Sequence, residues 1–122
     1  MTTERLTLGK RGEEVAADLL KMAGYRVIER NFRCRGGEVD IVALDGKTIV
    51  FVEVKTRRSK EFGPPKLAVD GRKQRQLVKA ALTYLKEKRL LNTAARFDVV
   101  GIVVRDDGHE VEHIKNAFDL VE

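Results

Sequence analysis

Residues 37–55 have the sequence GEVDIVALDGKTIVFVEVK, which places acids and a lysine inside two strongly apolar runs. The dipeptide Asp45-Gly46 between these β-branched runs is a strong hairpin signal, because a tight turn needs positive φ at its centre. The pattern therefore predicts two antiparallel strands, over residues 37–44 and 47–55. Charged side chains inside such strands need a physical reason.

The predicted turn decides which side chains of the hairpin share a face. Strand side chains alternate with a period of two, so one face carries Glu38, Asp40, Glu53 and Lys55. With Asp45-Gly46 at the turn, Asp40 and Glu53 are diagonal neighbours, and their Cα atoms are roughly 7–8 Å apart. The two carboxylates can then reach a single cation between them.

The acids on this face create an electrostatic problem that a metal ion would solve. Like charges facing one another across strands repel, and a partly buried carboxylate without a partner costs several kcal/mol. Mg²⁺ takes one or two carboxylates, a carbonyl and several waters, and it both polarises a phosphoryl oxygen and lowers the pKa of bound water. Lys55 would point at the same place, where its ammonium can orient the attacking water or neutralise charge at phosphorus.

A known signature matches these residues. Asp40 followed by Glu53-Val54-Lys55 resembles the Asp…(Asp/Glu)-x-Lys pattern of the restriction-endonuclease-like nuclease superfamily. The resemblance implies Asp40 and Glu53 as metal ligands, Lys55 as the catalytic lysine, and Mg²⁺ or Mn²⁺ as the cofactor. Val39 stands where the superfamily has a proline, and proline suits a paired strand poorly, so this difference says little against metal binding.

The resemblance to one family extends over nearly the whole chain. The segments that resemble the bacterial YraN-like family are 12–13, 30–33, 37–40, 50–57 and 96–100. This family resembles archaeal Holliday-junction resolvases, which implies a nuclease core, DNA as the partner and a branched junction as a candidate substrate. One small domain presents one active centre, so cutting two strands of a junction would need a symmetric homodimer.

An acid in the first predicted helix is a further candidate ligand. At 100° per residue, Glu13 lies near Ala16 and Leu20 on the apolar side, whereas Glu14 lies on the polar side. A related nuclease would use such a helical acid to complete the metal shell, directly or through water. Val54 is a further predicted metal contact. The alternative is a helix-start glutamate that the macrodipole favours.

The order of predicted elements defines the fold class. Helices are predicted over about 9–23 and 69–88, and further strands over about 25–32, 96–105 and 110–114, with a loop over 57–65. This αβββαβ order with a terminal strand predicts an α/β (α+β) fold whose mixed central sheet is flanked by helices. The same order matches the core of the restriction-endonuclease-like superfamily that the signature resembles. A chain of 122 residues fits one domain, residues 1–122.

Positive charge is concentrated in one segment. The formal net charge is +5, but residues 55–89 hold twelve Lys or Arg against three acids, a net of +9, which leaves −4 elsewhere. Such a segment favours sequence-independent binding to a phosphate backbone, although a solvated lysine-rich helix face is the alternative. The predicted contacts are Arg33, Arg35, Arg57, Arg58, Arg72, Lys73, Arg75, Lys79 and Lys86.

Composition also limits the compartment and the partners. No apolar run approaches the roughly 20 residues that a membrane-spanning helix needs, and the charged N-terminal segment is no signal peptide. A cytoplasmic protein without a membrane partner is therefore expected. The single cysteine, Cys34, has no partner for an intrachain disulfide and is expected to be incidental.

The leading hypothesis is a Mg²⁺- or Mn²⁺-dependent endonuclease that hydrolyses DNA phosphodiester bonds. Two alternatives remain open from the sequence. The chain could be a non-catalytic nucleic-acid-binding module on a nuclease fold, or the acids and lysine could form an ion-pair cluster that only fixes the strand register. Asp98, at the start of an apolar strand, is predicted either as a strand-end acid or as a partner of the site.

Overall fold

Apolar strands and two amphipathic helices form the architecture, which a computed structural model describes for residues 3–58 and 69–118. The elements are α1 Thr3–Met22, β1 Arg26–Cys34, β2 Gly37–Asp45, β3 Thr48–Arg57, α2 Gly71–Glu87, β4 Ala95–Arg105 and β5 Gly108–Phe118. Their order confirms the predicted αβββαβ core with a terminal strand. Most of the predicted loop over residues 57–65 lies outside the described residues.

The strands form one mixed sheet in the order β1-β2-β3-β4-β5. The β3–β4 pair is parallel, and the other three neighbouring pairs are antiparallel. The parallel pair requires a crossover between its strands, and α2 lies in that connection. The predicted α/β class with a mixed central sheet is therefore confirmed.

The two helices cover opposite faces of the sheet. Phe51 belongs to the buried cluster that includes Leu77 of α2, whereas the next strand residue, Val52, belongs to the cluster that includes Leu20 of α1. Alternation along β3 thus supplies apolar side chains to both layers, as expected of a strand buried on both faces. Within the described chain, neither helix is long and apolar enough to cross a bilayer.

The turn between β2 and β3 lies one residue further along the chain than predicted. Asp45 pairs with Thr48, so the central residues of the turn are Gly46 and Lys47, and the prediction of Asp45-Gly46 is wrong. The predicted diagonal placement of Asp40 and Glu53 is wrong for the same reason, because Ile41 pairs with Val52. Gly46 has a φ of 61°, whereas Lys47 is not among the residues with positive φ. A type II′ turn has this combination, because it requires glycine at its first central position.

The last strand is longer than the sequence predicted. β5 covers residues 108–118 rather than 110–114, because it pairs with β4 from Arg105 opposite Gly108 to Phe97 opposite Phe118. The rings of Phe97 and Phe118 stack with their centroids 4.7 Å apart. Most side chains of this strand are polar, so apolar alternation revealed only its middle.

Two glycines allow the helices to lie unusually close to the sheet. A Cβ on Gly12 of α1 would lie 1.8 Å from Oγ1 of Thr56, and a Cβ on Gly37 of β2 would lie 2.4 Å from the main-chain oxygen of Gln76. Both distances are far below van der Waals contact, so neither position accepts a side chain while helix and sheet keep their places. The two contacts position α1 against β3 and α2 against β2.

Candidate active site

The two acids of the signature lie where β2 and β3 separate. The pairing of these strands ends at Ile41 and Val52, and beyond it Oδ2 of Asp40 accepts a hydrogen bond of 2.8 Å from the main-chain N–H of Val54. Burial, and then the negative charge of Glu53, raise the pKa of Asp40 to about 8. A cation beside Asp40 would stabilise the ionised form that burial and the neighbouring charge disfavour, so this acid pair favours a cation.

The lysine that pairs with Glu53 is Lys73 of α2, which is not part of the signature. The side chain of Glu53 is buried, with the residue 3% exposed, and Nζ of Lys73 lies 3.2 Å from its Oε2. Burial alone would lower the pKa of Lys73, but the charge and hydrogen bond of Glu53 raise it overall. Asp70, the N-cap of α2, accepts a hydrogen bond from the main-chain N–H of Lys73 and so fixes the first turn.

Lys55 lies on the same face of β3 as Glu53, because the two residues are two positions apart. Its side chain is half-buried. Within residues 3–58 and 69–118 it makes no ion pair or hydrogen bond. Lys55 thus differs from Lys73, whose ammonium pairs with Glu53. The catalytic role of Lys55 stays a prediction.

Glu13 faces inward from α1, as its position in the helix predicted. Its side chain is 22% exposed, compared with 56% for Glu14, and its Oε1 lies 3.8 Å from a guanidinium nitrogen of Arg30. Burial, followed by the negative charge of Asp40, raises the pKa of Glu13 against the opposing effect of Arg30. Glu13 is thus close enough to Asp40 for the charge of that carboxylate to affect its pKa. The close contact at Gly12 positions this part of α1 on the sheet.

The fit of a metal to these residues depends on the acid pair. Among the residues that the structure describes, no three His, Cys, Asp or Glu side chains are grouped to hold a metal ion. Two adjacent carboxylates are nevertheless sufficient protein ligands for Mg²⁺, which keeps several waters in its shell. Glu38 is half-exposed and pairs with Arg33 at 3.2 Å. Val54 donates its main-chain N–H to Asp40, and its predicted contact with the metal stays a prediction.

The predicted phosphate contacts are almost all at the surface. Arg57 is half-buried, and one terminal nitrogen of its guanidinium is buried without a hydrogen-bond partner in the described part of the chain. The exposed residues are Arg33, Arg35, Arg58, Arg72, Arg75, Lys79 and Lys86. Four of them recur at helical spacing and form what we call the basic stripe of α2, namely Arg72, Arg75, Lys79 and Lys86. The stripe lies opposite the buried face of the helix, which includes Leu77 and Ala81.

A buried polar network on the other face of the sheet was not predicted. The carboxylate of Asp98 contacts Nε of Arg96 at 3.0 Å, Nε2 of His113 at 2.7 Å and the main-chain N–H of Asn116 at 3.0 Å. Burial would raise the pKa of Asp98, but the hydrogen bonds from His113, Arg96 and Asn116 lower it overall. Arg96 in turn donates to Asp45 and to the hydroxyl of Tyr25.

The surroundings of Asp98 separate it from the acid pair. Its network includes Tyr25, which belongs to the cluster beneath α1, whereas Glu53 pairs with Lys73 of α2. Of the two roles predicted for Asp98, the structure supports that of a strand-end acid with a structural function. His113 is its partner, and no pattern in the sequence indicates this contact.

The fold and the site together define a class, an α/β protein with a restriction-endonuclease-like core and an acid pair beside two lysines. Residues 12–102 match the family described as Uncharacterised protein family UPF0102. The chain belongs to this family, which confirms the resemblance to YraN-like proteins.

Individual relatives match over nearly their whole length. A UPF0102 protein of Geobacter metallireducens is 56% identical over 120 residues, which are 98% of this chain and 98% of the relative. A UPF0102 protein of Geobacter sulfurreducens is 60% identical over 114 residues, covering 93% of this chain and 89% of the relative.

One solved structure resembles the chain only distantly. It is described as "The structure of Pyrococcus Furiosus SfsA in complex with Ca2+", with 19% identity and a TM-score of 0.42 over 91% of this chain and 63% of the other. A likeness of this size supports no argument about activity.

Proposed function

We propose that this protein is a divalent-metal-dependent endonuclease that hydrolyses phosphodiester bonds in DNA. The observation that carries the proposal is the acid pair, in which burial and the charge of Glu53 raise the pKa of Asp40 to about 8. The ammonium of Lys55, which has no ion-pair partner among the described residues, lies on the same strand face and supports it. Branched DNA, including a four-way junction, is the substrate that we propose to test first.

Each residue of the site has a role in this proposal. Asp40 and Glu53 would hold Mg²⁺ or Mn²⁺, with Glu13 in support, and the ion would supply Lewis-acid activation of the phosphoryl group and of water. The N–H of Val54 holds the Asp40 carboxylate in its orientation. Lys55 would place its positive charge where negative charge develops on the phosphoryl oxygens. Lys73 holds the carboxylate of Glu53 in place.

The surface around the site supports nucleic acid as the ligand. The basic stripe presents four exposed cations on one side of α2, and Lys73 of the same helix pairs with Glu53. A phosphate backbone bound along the stripe would therefore run close to the acid pair. Contacts of this kind position DNA without selecting its sequence. Cutting two strands of a junction requires two active centres, so the junction substrate entails a homodimer, which analytical ultracentrifugation would detect.

Divalent metal is expected to stabilise the folded protein through Asp40. A ligand that binds only the folded state at 100 times its Kd adds about 2.7 kcal/mol to the free energy of unfolding. Thermal unfolding with and without Mn²⁺ should therefore give separate melting temperatures for the wild type and coincident ones for Asp40→Asn. Equal shifts in both proteins would remove the acid pair as the metal site.

The basic stripe is expected to determine the salt dependence of DNA binding. Replacing Arg75 and Lys79 by glutamine removes two phosphate contacts, so the slope of log K against log salt should decrease in magnitude by about 1.8, close to 0.9 per contact. Fluorescence anisotropy of labelled duplexes at several salt concentrations measures this slope. An unchanged slope would show that the stripe is only solvated. If affinity does fall, it should fall equally for duplexes of different sequence, because phosphate contacts do not select bases.

A second candidate function is a binding module that has lost turnover. The ion pair between Lys73 and Glu53 favours it, because that ammonium already supplies a countercharge to the acid pair. Incubating the protein with linear, flapped and four-way DNA in Mn²⁺ distinguishes the two functions. Cleavage that Asp40→Asn abolishes supports the nuclease, whereas tight binding of branched DNA without any cleavage supports the module.

A further inference from the structure

A cleft of 370 Å³ opens between the β1–β2 connection and the start of α2. Its walls are residues 33, 34 and 36–38 on one side and Lys73 and Gln76 on the other. The volume is within the range of roughly 300–1,000 Å³ that small-molecule sites have. None of the roles assigned above uses this space.

The cleft lies between the acid pair and the basic stripe. Lys73 in its wall reaches Glu53 at 3.2 Å. At the other rim, Cδ of Lys79 lies 3.7 Å from the position that a Cβ on Gly36 would occupy. A DNA strand that runs from the stripe to the acids would therefore pass this opening.

The charges that line the cleft are already paired. Lys73 contacts Glu53 at 3.2 Å, and Nε of Arg33 contacts Oε2 of Glu38 at 3.2 Å. A phosphate in the cleft would have to compete with both carboxylates for these cations. A neutral group with donors and acceptors avoids that competition.

Two further features of the walls suit a flat heterocycle. Gly36 and Gly37 present main chain without side chains, and Gly37 cannot carry one because of the nearby Gln76 oxygen. The half-buried amide of Gln76 makes no hydrogen bond within the described part of the chain. An amide offers a donor and an acceptor side by side, and this pair matches the edge of a nucleobase.

We infer that the cleft receives one unstacked nucleobase of the bound DNA, beside the phosphodiester at the acid pair. This inference rests on the proposed function for its ligand, which is DNA. Gln76 bonds the edge of the base, and the planar guanidinium of Arg33 stacks on its face. A base leaves the helix most easily where it is unpaired, so the cleft selects DNA with a branch or an unpaired nucleotide.

Fluorescence of 2-aminopurine at the branch of flapped DNA tests this inference without metal and without cleavage. Binding of the wild type should raise the fluorescence several-fold, because the base analogue brightens when it unstacks. Gln76→Leu keeps the acid pair and the basic stripe, so it should bind the DNA but lose most of the rise. Thr83→Ala is the matched control, since Thr83 lies on α2 outside the cleft and its hydroxyl donates to the carbonyl of Lys79.

The single cysteine of the chain reports whether the base enters this cleft. Cys34 lines the cleft, so its alkylation by iodoacetamide should be several-fold slower when flapped DNA is bound. The same DNA with an abasic site at the branch should not protect it, and neither should inorganic phosphate. Protection by phosphate alone would identify an anion site and overturn the inference.

The outcomes separate this inference from the proposed function. If the fluorescence rise depends on Gln76 but the protein cuts no DNA, the inference about the cleft is supported and the nuclease proposal is overturned. If the wild type cleaves DNA but binding does not raise the 2-aminopurine fluorescence, the inference about the cleft is overturned and the nuclease proposal stands. The same holds if Gln76→Leu retains the fluorescence rise. A protein that binds no DNA overturns both.

Discussion

Replacing Lys55 by alanine is expected to slow DNA cleavage by roughly 10²-fold or more while DNA affinity changes little. The ammonium of Lys55 has no partner among the described residues, so its removal disrupts no ion pair of the folded protein. In the proposed function it does remove a positive charge from the place where the transition state would gain negative charge. Single-turnover cleavage of labelled DNA and equilibrium binding in metal-free buffer measure the two effects separately.

The control for this prediction is a lysine in the same hairpin. Lys47 lies exposed in the β2–β3 turn, at the opposite end of β3 from Lys55. The Lys47→Ala variant should therefore cleave DNA at the wild-type rate. Asp40→Asn should also abolish cleavage, but excess Mn²⁺ should restore part of it, because that substitution weakens metal binding. If Lys55→Ala cleaved DNA at the wild-type rate, the catalytic role of Lys55 would be contradicted, and Lys73 would be the next lysine to test.

Replacing Asp98 by alanine is expected to lower the free energy of unfolding by about 3–5 kcal/mol, the usual cost of breaking a buried ion pair. Arg96 and His113 would lose their shared acceptor. Asp98 is only 1% exposed, so water cannot easily replace its carboxylate. Urea unfolding followed by circular dichroism measures the loss. The Asp98 network lies on the opposite face of the sheet from Glu53, so DNA cleavage below the unfolding transition should be retained.

An exposed ion pair on the same two strands provides the comparison. Arg105 contacts Glu110 at 2.8 Å with both side chains about half-exposed, and surface pairs are worth about 0–1 kcal/mol. Arg105→Ala should therefore cost far less than Asp98→Ala. Similar costs for the two variants would mean that the Asp98 network contributes little to stability.

The pH dependence of stability follows from the same network. The pKa of Asp98 in the folded protein lies below its ordinary value of 3.8, so its stabilising contribution is present above about pH 4 and is lost as the pH falls through the folded pKa. Acid unfolding of the wild type should include this loss. Asp98→Asn should be less stable at neutral pH and should lose less stability on acidification.

The sequence predicted the order of elements because apolar periodicity is local. The strands of the β2–β3 hairpin and both helices follow from patterns within each segment. The turn was misplaced by one residue because Asp45-Gly46 and Gly46-Lys47 both offer glycine at a central position. β5 was predicted too short because its pairing with β4, rather than its own apolar pattern, defines its ends.

The candidate site was only partly predictable for a related reason. Asp40 and Glu53 belong to one hairpin, so their proximity follows from strand pairing. The contact of Lys73 with Glu53 depends on how α2 lies on the sheet, and that of Asp98 with His113 depends on the β4–β5 register. Distances between elements that are remote in the chain are set by packing, which no local pattern specifies.

The two close helix contacts also limit how the sequence can be redesigned. At position 37 the obstacle is the main-chain oxygen of Gln76, which no substitution of another residue can remove. At position 12 the obstacle is the side chain of Thr56, whose Cβ alone would lie 2.8 Å from an added Cβ, so Gly12→Ala becomes compatible only with Thr56→Gly. A combinatorial library of this protein should therefore keep residue 37 constant and vary residues 12 and 56 as a linked pair.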